Sequence, residues 1–438
     1  MSVLGIARST GSRVRATSGQ IRSTGTQIRN TGVHLRTSGS HLTVIAAPRR
    51  RKPWSEDFYE SPLATKELRK LSPGAILRVE PMDAYLIPGV RLKARAFRLL
   101  YRSTGAVGEP TFVSGTLLLP ENRRPGQTVP LVGYAVGTHG IGDHAAPSRM
   151  LSTGRDWEAG LMAHVLARGY AVAITDYQGL GTPGDHAFMV GRALGKNVLD
   201  AMRAACQVAP EEVSLEGPAG VIGYSEGGAA AAWAAQLHST YAPEIGLVGV
   251  AAGAAAADME IAGPGLDGSF FSFFLAYGAI GYAAAYPELE LDAYLTPKAW
   301  EQIDMLRHSN VFQAAMHGPR YAKAGELTEP NVMEMPDWRE RLAENRLGMI
   351  APQVPVLLHH AKGDQIVAFE QSKRLLDDWK ALDVDVTLRV TRGGFDHLTG
   401  ALVGGPIALE WLARRIEQRP LRMPANVVPI KSARTAAA

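Results

Sequence analysis

The 438-residue sequence predicts an α/β fold: a mixed, mostly parallel sheet flanked by helices and interrupted by a largely helical insertion. Three observations predict it. Strand-like segments come first in succession and then alternate with helical ones. A Gly-x-Ser-x-Gly pentapeptide, Gly223-Tyr224-Ser225-Glu226-Gly227, stands between an apolar run and an alanine-rich run. The alternation lapses over residues 260–349 and then resumes.

The N-terminal 52 residues stand apart. They carry nine Arg and one Lys with no Asp or Glu, which leaves the rest of the chain 36 basic against 42 acidic residues, a net of −6. The body is mildly acidic, and its charge gives nucleic-acid binding no support. Within this arm Val14-Arg15, Ile21-Arg22, Ile28-Arg29 and Leu35-Arg36 recur every seven residues. One apolar residue per heptad cannot form a coiled-coil seam, and the intervening Gly, Ser and Thr oppose helix, so residues 1–52 read as a disordered arm. Attachment to an anionic surface is its functional alternative, and its composition also suits a transit peptide. The apolar run 42–48 is too short for a signal peptide and leads into three arginines and a lysine, so the expected location is cytoplasmic or surface-associated.

After Pro53 the strands begin. Residues 76–81, 94–101, 111–119 and 130–136 read as extended segments separated by Gly/Pro turns. Helix 157–168, strand 171–176, helix 191–208, strand 220–224 and the helix after the pentapeptide up to 236 follow, and then strand 247–252. Residues 53–255 are therefore the first part of the core, and residues 256–350 form a helical cap. Its apolar stretch 270–285, broken by Ser272, Gly278 and Gly281, is short for a membrane span. Strand 354–359, helix 370–382, strand 385–390 and helix 406–416 complete the core over 351–418, and 419–438 is a loose basic tail. Cys206, the only cysteine, excludes an intrachain disulfide and reads as a small buried apolar residue of the helix 191–208.

A strand-to-helix turn built on glycines exposes Ser225 at its apex, the geometry of a nucleophile elbow. A serine hydroxyl needs a general base, and the base needs an orienting acid. Hydrolases of this topology present these groups in the order Ser, Asp/Glu, His. Asp364 follows the strand 354–359, where the acid belongs, and His397 follows the last strand, where the base belongs. Asp396 is the competing acid, but adjacency to His397 handicaps it. For the oxyanion hole the backbone of Glu226 supplies one donor, and the loop Gly137-Thr138-His139-Gly140 the other, from His139 or else Thr138.

Tyr177 is a candidate substrate-pocket residue, and Phe270, Phe271 and Phe274 either line an acyl-binding surface or pack the cap. Gly179-Leu180-Gly181-Thr182-Pro183-Gly184 matches the dinucleotide fingerprint G-x-G-x-x-G, but Pro183 interrupts it and no helix starts within it, so no cofactor is expected. The twelve histidines show no metal-ligand spacing.

Taken together, the stretches 137–140, Ala146-Pro147-Ser148, 176–181, 223–228, Tyr286-Pro287-Glu288-Leu289, Gly363-Asp364 and Asp396-His397 resemble the secretory (lipase A-type) lipase family of α/β-hydrolases. The resemblance spans residues 75–418. It implies an α/β-hydrolase core with a helical cap, hydrolysis of carboxylic esters, a lipid or small-ester substrate, and Ser225, Asp364 and His397 at the triad positions. It also implies secretion, against the missing signal peptide. Ala145 stands where the family often has a cysteine. Two rival functions remain: an acyltransferase using the same triad, and a non-catalytic lipid-binding surface protein.

Overall fold

Uninterrupted apolar runs such as Ala171–Thr175 and Ala219–Tyr224 have no polar face to offer water, so they are stable only as central strands covered on both sides. The computed structural model describes residues 33–38, 41–46, 56–121 and 127–418. Its strands are β1 (Val33–Ser38), β2 (His41–Ala46), β3 (Ile76–Met82), β4 (Tyr85–Ile87), β5 (Val90–Arg91), β6 (Ala94–Thr104), β7 (Pro110–Pro120), β8 (Leu131–Ala135), β9 (Ala171–Thr175), β10 (Ala219–Tyr224), β11 (Leu247–Gly253), β12 (Val356–Ala361) and β13 (Val386–Thr391). Except for the small β4–β5 pair, all join one sheet in the order β13-β12-β11-β10-β8-β9-β7-β6-β3-β1-β2. From β13 to β9 the strands are parallel; from β9 to β2 they are antiparallel. The mixed, mostly parallel core expected from the sequence is present.

Helices cover both faces. Val221 and Gly220 point to opposite sides of β10. Gly133, beside Val221 in the register, leaves room for Met202 of helix Gly191–Val208, whereas Gly220 leaves room for Leu412 of helix His397–Gln418. Glycine also lets helices meet closely: a Cβ on Gly195 would lie 2.8 Å from that of Trp233 in helix Glu226–Tyr241.

Three differences from the sequence reading have local causes. The last helix starts at His397, not at residue 406, and runs through Pro406. Gly400 and Gly404 let its first turns lie against Tyr224 and His359. In the arm expected to be disordered, β1 and β2 form a hairpin, and Val33 pairs with Val79 of β3. Val33, Leu35, Val44 and Ile45 favour extended pairing there, a signal that the seven-residue spacing obscured. The remainder of the arm and all of 419–438 lie outside the described residues. The β4–β5 pair has no counterpart in the sequence pattern because its strands are only three and two residues long.

The insertion folds as short helices, among them Met259–Leu266, Phe273–Ala285, Pro297–Arg307, Val311–His317 and Pro336–Glu344. It has its own apolar core around Phe273, Tyr277, Ile280, Leu306 and Trp338, which Phe188 of the core loop joins.

Candidate active site

In parallel α/β sheets the carboxyl ends of strands gather the loops that carry chemistry. Here the ends of β8, β10, β12 and β13 lead to residues 137–140, Ser225, Asp364 and His397. Ser225 has φ 62° and ψ −122°, outside the regions a non-glycine residue ordinarily adopts, at a cost of roughly 1–3 kcal/mol. Its neighbours explain how that turn is accommodated. A Cβ on Gly223 would lie 2.2 Å from the Gly227 carbonyl oxygen, and one on Gly227 would lie 2.0 Å from that of Ala135. Only glycine at both positions permits the turn.

The hydroxyl of Ser225 lies 2.9 Å from Nε2 of His397, and Nδ1 of His397 lies 2.6 Å from Oδ2 of Asp364. The imidazole thus donates from Nδ1 to the carboxylate and offers Nε2 to the serine. His397 is held further by its own amide, which donates to Gln365, and by Tyr224, whose hydroxyl donates to its carbonyl. Burial opposes ionisation of Asp364, but hydrogen bonds from His360 and His397, with the charge of His397 and the Val367 amide, hold its pKa well below the usual carboxylate range. His360 was missed by sequence reasoning. Its Nε2 lies 3.1 Å from Asp364 Oδ2 and its Nδ1 2.8 Å from the Ser372 hydroxyl. Its place at the end of an apolar strand, four residues before Asp364, was the available signal. Asp396 is exposed and accepts hydrogen bonds from the amide and hydroxyl of Thr399, so it caps the final helix, while Nδ1 of His397 is taken by Asp364.

The donor loop packs beside the elbow, and a Cβ on Gly137 would sit 3.9 Å from that of Ser225. The amides of His139 and Glu226 donate to no other group among the described residues. The Glu226 side chain turns inward, 2.9 Å from Nε2 of His186, whose Nδ1 faces the Gln178 carbonyl. The His139 ring stacks on Trp157 at 4.0 Å with Asp156 3.3 Å from its Nε2. Burial disfavours the His139 imidazolium, but the nearby carboxylate of Asp156, with the charge of Glu158, outweighs it and raises its pKa to about 9.

The pocket candidates separate. Tyr177 is 1% exposed and gives its hydroxyl to the Val136 carbonyl, so it supports the donor loop from beneath. Phe274 stacks on Phe188 at 6.4 Å, and Phe188 meets His186, which faces the Glu226 carboxylate, edge-on at 6.0 Å. Phe271 packs against the cap core, while Phe270 turns outward to Tyr321. In the loop 179–184, Gly179, Gly181 and Gly184 have φ of 74°, 82° and 99°, so backbone conformation alone explains its glycines. Among the described residues, no group of three or more His, Cys, Asp or Glu is placed to hold a metal ion.

The model of the secretory lipase family matches residues 145–423. Lipase 4 of Candida albicans is 27% identical over 390 residues, spanning 83% of this chain and 82% of its own. A Mycobacterium tuberculosis protein named a probable inactive lipase is 26% identical, spanning 80% of each chain. Among solved structures, Candida antarctica lipase A in its closed state superposes with a TM-score of 0.74 at 21% identity, covering 85% of this chain and 88% of that one. That last likeness speaks to the fold alone, an α/β-hydrolase.

Proposed function

The chain belongs to the secretory lipase family, and from that premise we propose that it is a serine-dependent hydrolase of carboxylic esters with apolar acyl groups, acting through an acyl-enzyme. Family membership by itself does not decide turnover, since one relative is named a probable inactive lipase. The observation that carries the reading is the continuous chain Ser225–His397–Asp364, at 2.9 Å and 2.6 Å.

As Oγ of Ser225 attacks the ester carbonyl carbon, its proton passes to Nε2 of His397. The ionised Asp364 keeps Nδ1 protonated and stabilises the imidazolium that forms. Negative charge collects on the carbonyl oxygen, which the amides of Glu226 and His139 receive. Glu226 stands at the start of helix Glu226–Tyr241, so the helix dipole adds to its amide. Collapse breaks the ester C–O bond, and His397 returns the proton to the departing alcohol oxygen. Water then repeats the sequence on the acyl-serine, releasing the acid. Phe274 and its neighbours present the apolar surface suited to an acyl chain.

The test compares wild type and Ser225→Ala on esters of increasing acyl length. Loss of the nucleophile is expected to reduce kcat by on the order of 10⁶-fold, with covalent labelling of Ser225 by a fluorophosphonate in the wild type. Turnover by Ser225→Ala above background would sink the proposal. A labelled but non-hydrolysing wild type that acylates an added alcohol would instead identify an acyltransferase.

A further inference from the structure

The loop that carries the second oxyanion donor is gripped by a segment to which the reaction assigns no part. Glu158 Oε1 accepts from the Gly137 amide at 2.7 Å, and Nδ1 of His139 donates to the Gly137 carbonyl at 2.8 Å. Both polar groups of Gly137 are thereby committed, one on each side of the residue. Two positions on, the His139 ring stacks on Trp157 and has the Asp156 carboxylate 3.3 Å from Nε2 at its edge. Asp156 also accepts from the amide of Glu158, which ties the two acids into one rigid turn. The Glu158 carboxyl is buried between Gly137 and Tyr134, and that burial raises its pKa to about 7.

Burying two carboxyl groups and an imidazole is costly, and apolar packing would hold a loop more cheaply. What apolar packing cannot do is set the rotation of a peptide plane. With the Gly137 amide, the Gly137 carbonyl and the His139 ring all held, the Thr138–His139 peptide between them is restrained from both ends. Space closes the remaining freedom, because a Cβ on Gly137 would lie 2.9 Å from Glu158 and 3.2 Å from the Tyr224 carbonyl oxygen. We infer that Asp156, Trp157 and Glu158 are positioning residues that aim the His139 amide at the oxyanion, Glu158 through its hydrogen bond to Gly137, and Asp156 and Trp157 through the His139 ring. None of the three touches the reacting atoms. The inference rests on the ester-hydrolase reading above.

Its test uses Glu158→Leu and Glu158→Gln in the full chain. Each is assayed on a water-soluble aryl ester and titrated with an arylboronic acid, whose tetrahedral serine adduct places an oxygen in the oxyanion hole. Active sites are counted by folded fraction. Glu158→Leu removes the acceptor and is expected to lower kcat by roughly 10²-fold, the scale of one lost oxyanion donor, with boronate affinity falling in parallel and KM little changed. Glu158→Gln keeps an acceptor for the Gly137 amide and is expected to restore most of both. Unchanged kcat and boronate affinity in Glu158→Leu would overturn the inference. So would an activity loss explained wholly by unfolded protein, or Gln failing as badly as Leu. Turnover in Ser225→Ala would instead bring down the hydrolase reading itself, so the two failures are distinct.

Discussion

Asp364 is a buried carboxyl kept ionised by the donors around it, and its second histidine makes a prediction. His360→Leu removes the Nε2 donor 3.1 Å from Oδ2 while leaving His397 and the amides of Ile366 and Val367 in place. Because the folded pKa of Asp364 is depressed, its ionised form contributes stability above the ordinary carboxylate range near 4 and loses it as pH falls. Loss of a donor raises that pKa, so the acid limbs of kcat and of thermal stability are expected to move together toward higher pH. A hydrogen bond to a charged group is worth about 1.5–3 kcal/mol, so kcat at neutral pH is expected to fall by roughly 10- to 100-fold. A pH–rate profile and thermal melts across the acid range check it, and an unmoved acid limb would contradict the role given to His360.

At the scale of elements, the helical insertion is hydrogen-bonded to the loop that follows β8. The amides of Ile141 and Gly142 donate to the Ser309 carbonyl at 3.1 Å and 3.0 Å, and the amide of Val311 donates to the His139 carbonyl at 2.9 Å. This seam ties segment 309–311 to the same loop that Asp156, Trp157 and Glu158 contact. These hydrogen bonds couple the position of the 137–142 loop to that of segment 309–311. Gly142 makes the seam testable, since a Cβ there would lie 2.6 Å from the His308 carbonyl carbon. Gly142→Ala is expected to push the cap segment away, cost roughly 1–3 kcal/mol of stability and lower kcat by more than tenfold. Hydrogen exchange over 137–142 should rise with it. Wild-type exchange and kcat in this variant would show that the seam is not what places the loop. The Ser225 turn was legible beforehand because its glycines and flanking runs are contiguous. The seam was not, because residues 139–142 and 309–311 are far apart in the sequence and meet only in the tertiary structure.

For the molecule as a whole, the candidate site and the described part of the N-terminal arm, β1 and β2, lie at different places on the sheet. The site gathers at β8, β10, β12 and β13, while β1 and β2 extend the sheet beyond β3 at the other edge. Deletion of residues 1–52 is therefore expected to leave turnover of a soluble ester within about twofold while weakening binding to anionic vesicles, where each basic residue near the surface is worth about 1 kcal/mol. Vesicle binding that survives the deletion would rule out attachment through the arm. No helix among the described residues is long and apolar enough to cross a membrane. The sequence by itself determined the order of the core strands and helices and offered Ser225, Asp364 and His397 as candidates that the fold brings within hydrogen-bonding distance, because periodicity, turn glycines and chain order are local properties. It could not decide that Tyr177 lies beneath the donor loop, that Asp396 caps a helix, that the final helix begins at His397, or that His360 and Glu158 reach the site. Those outcomes depend on which buried polar groups find partners across the sheet, and only the closed tertiary structure brings such groups within hydrogen-bonding distance.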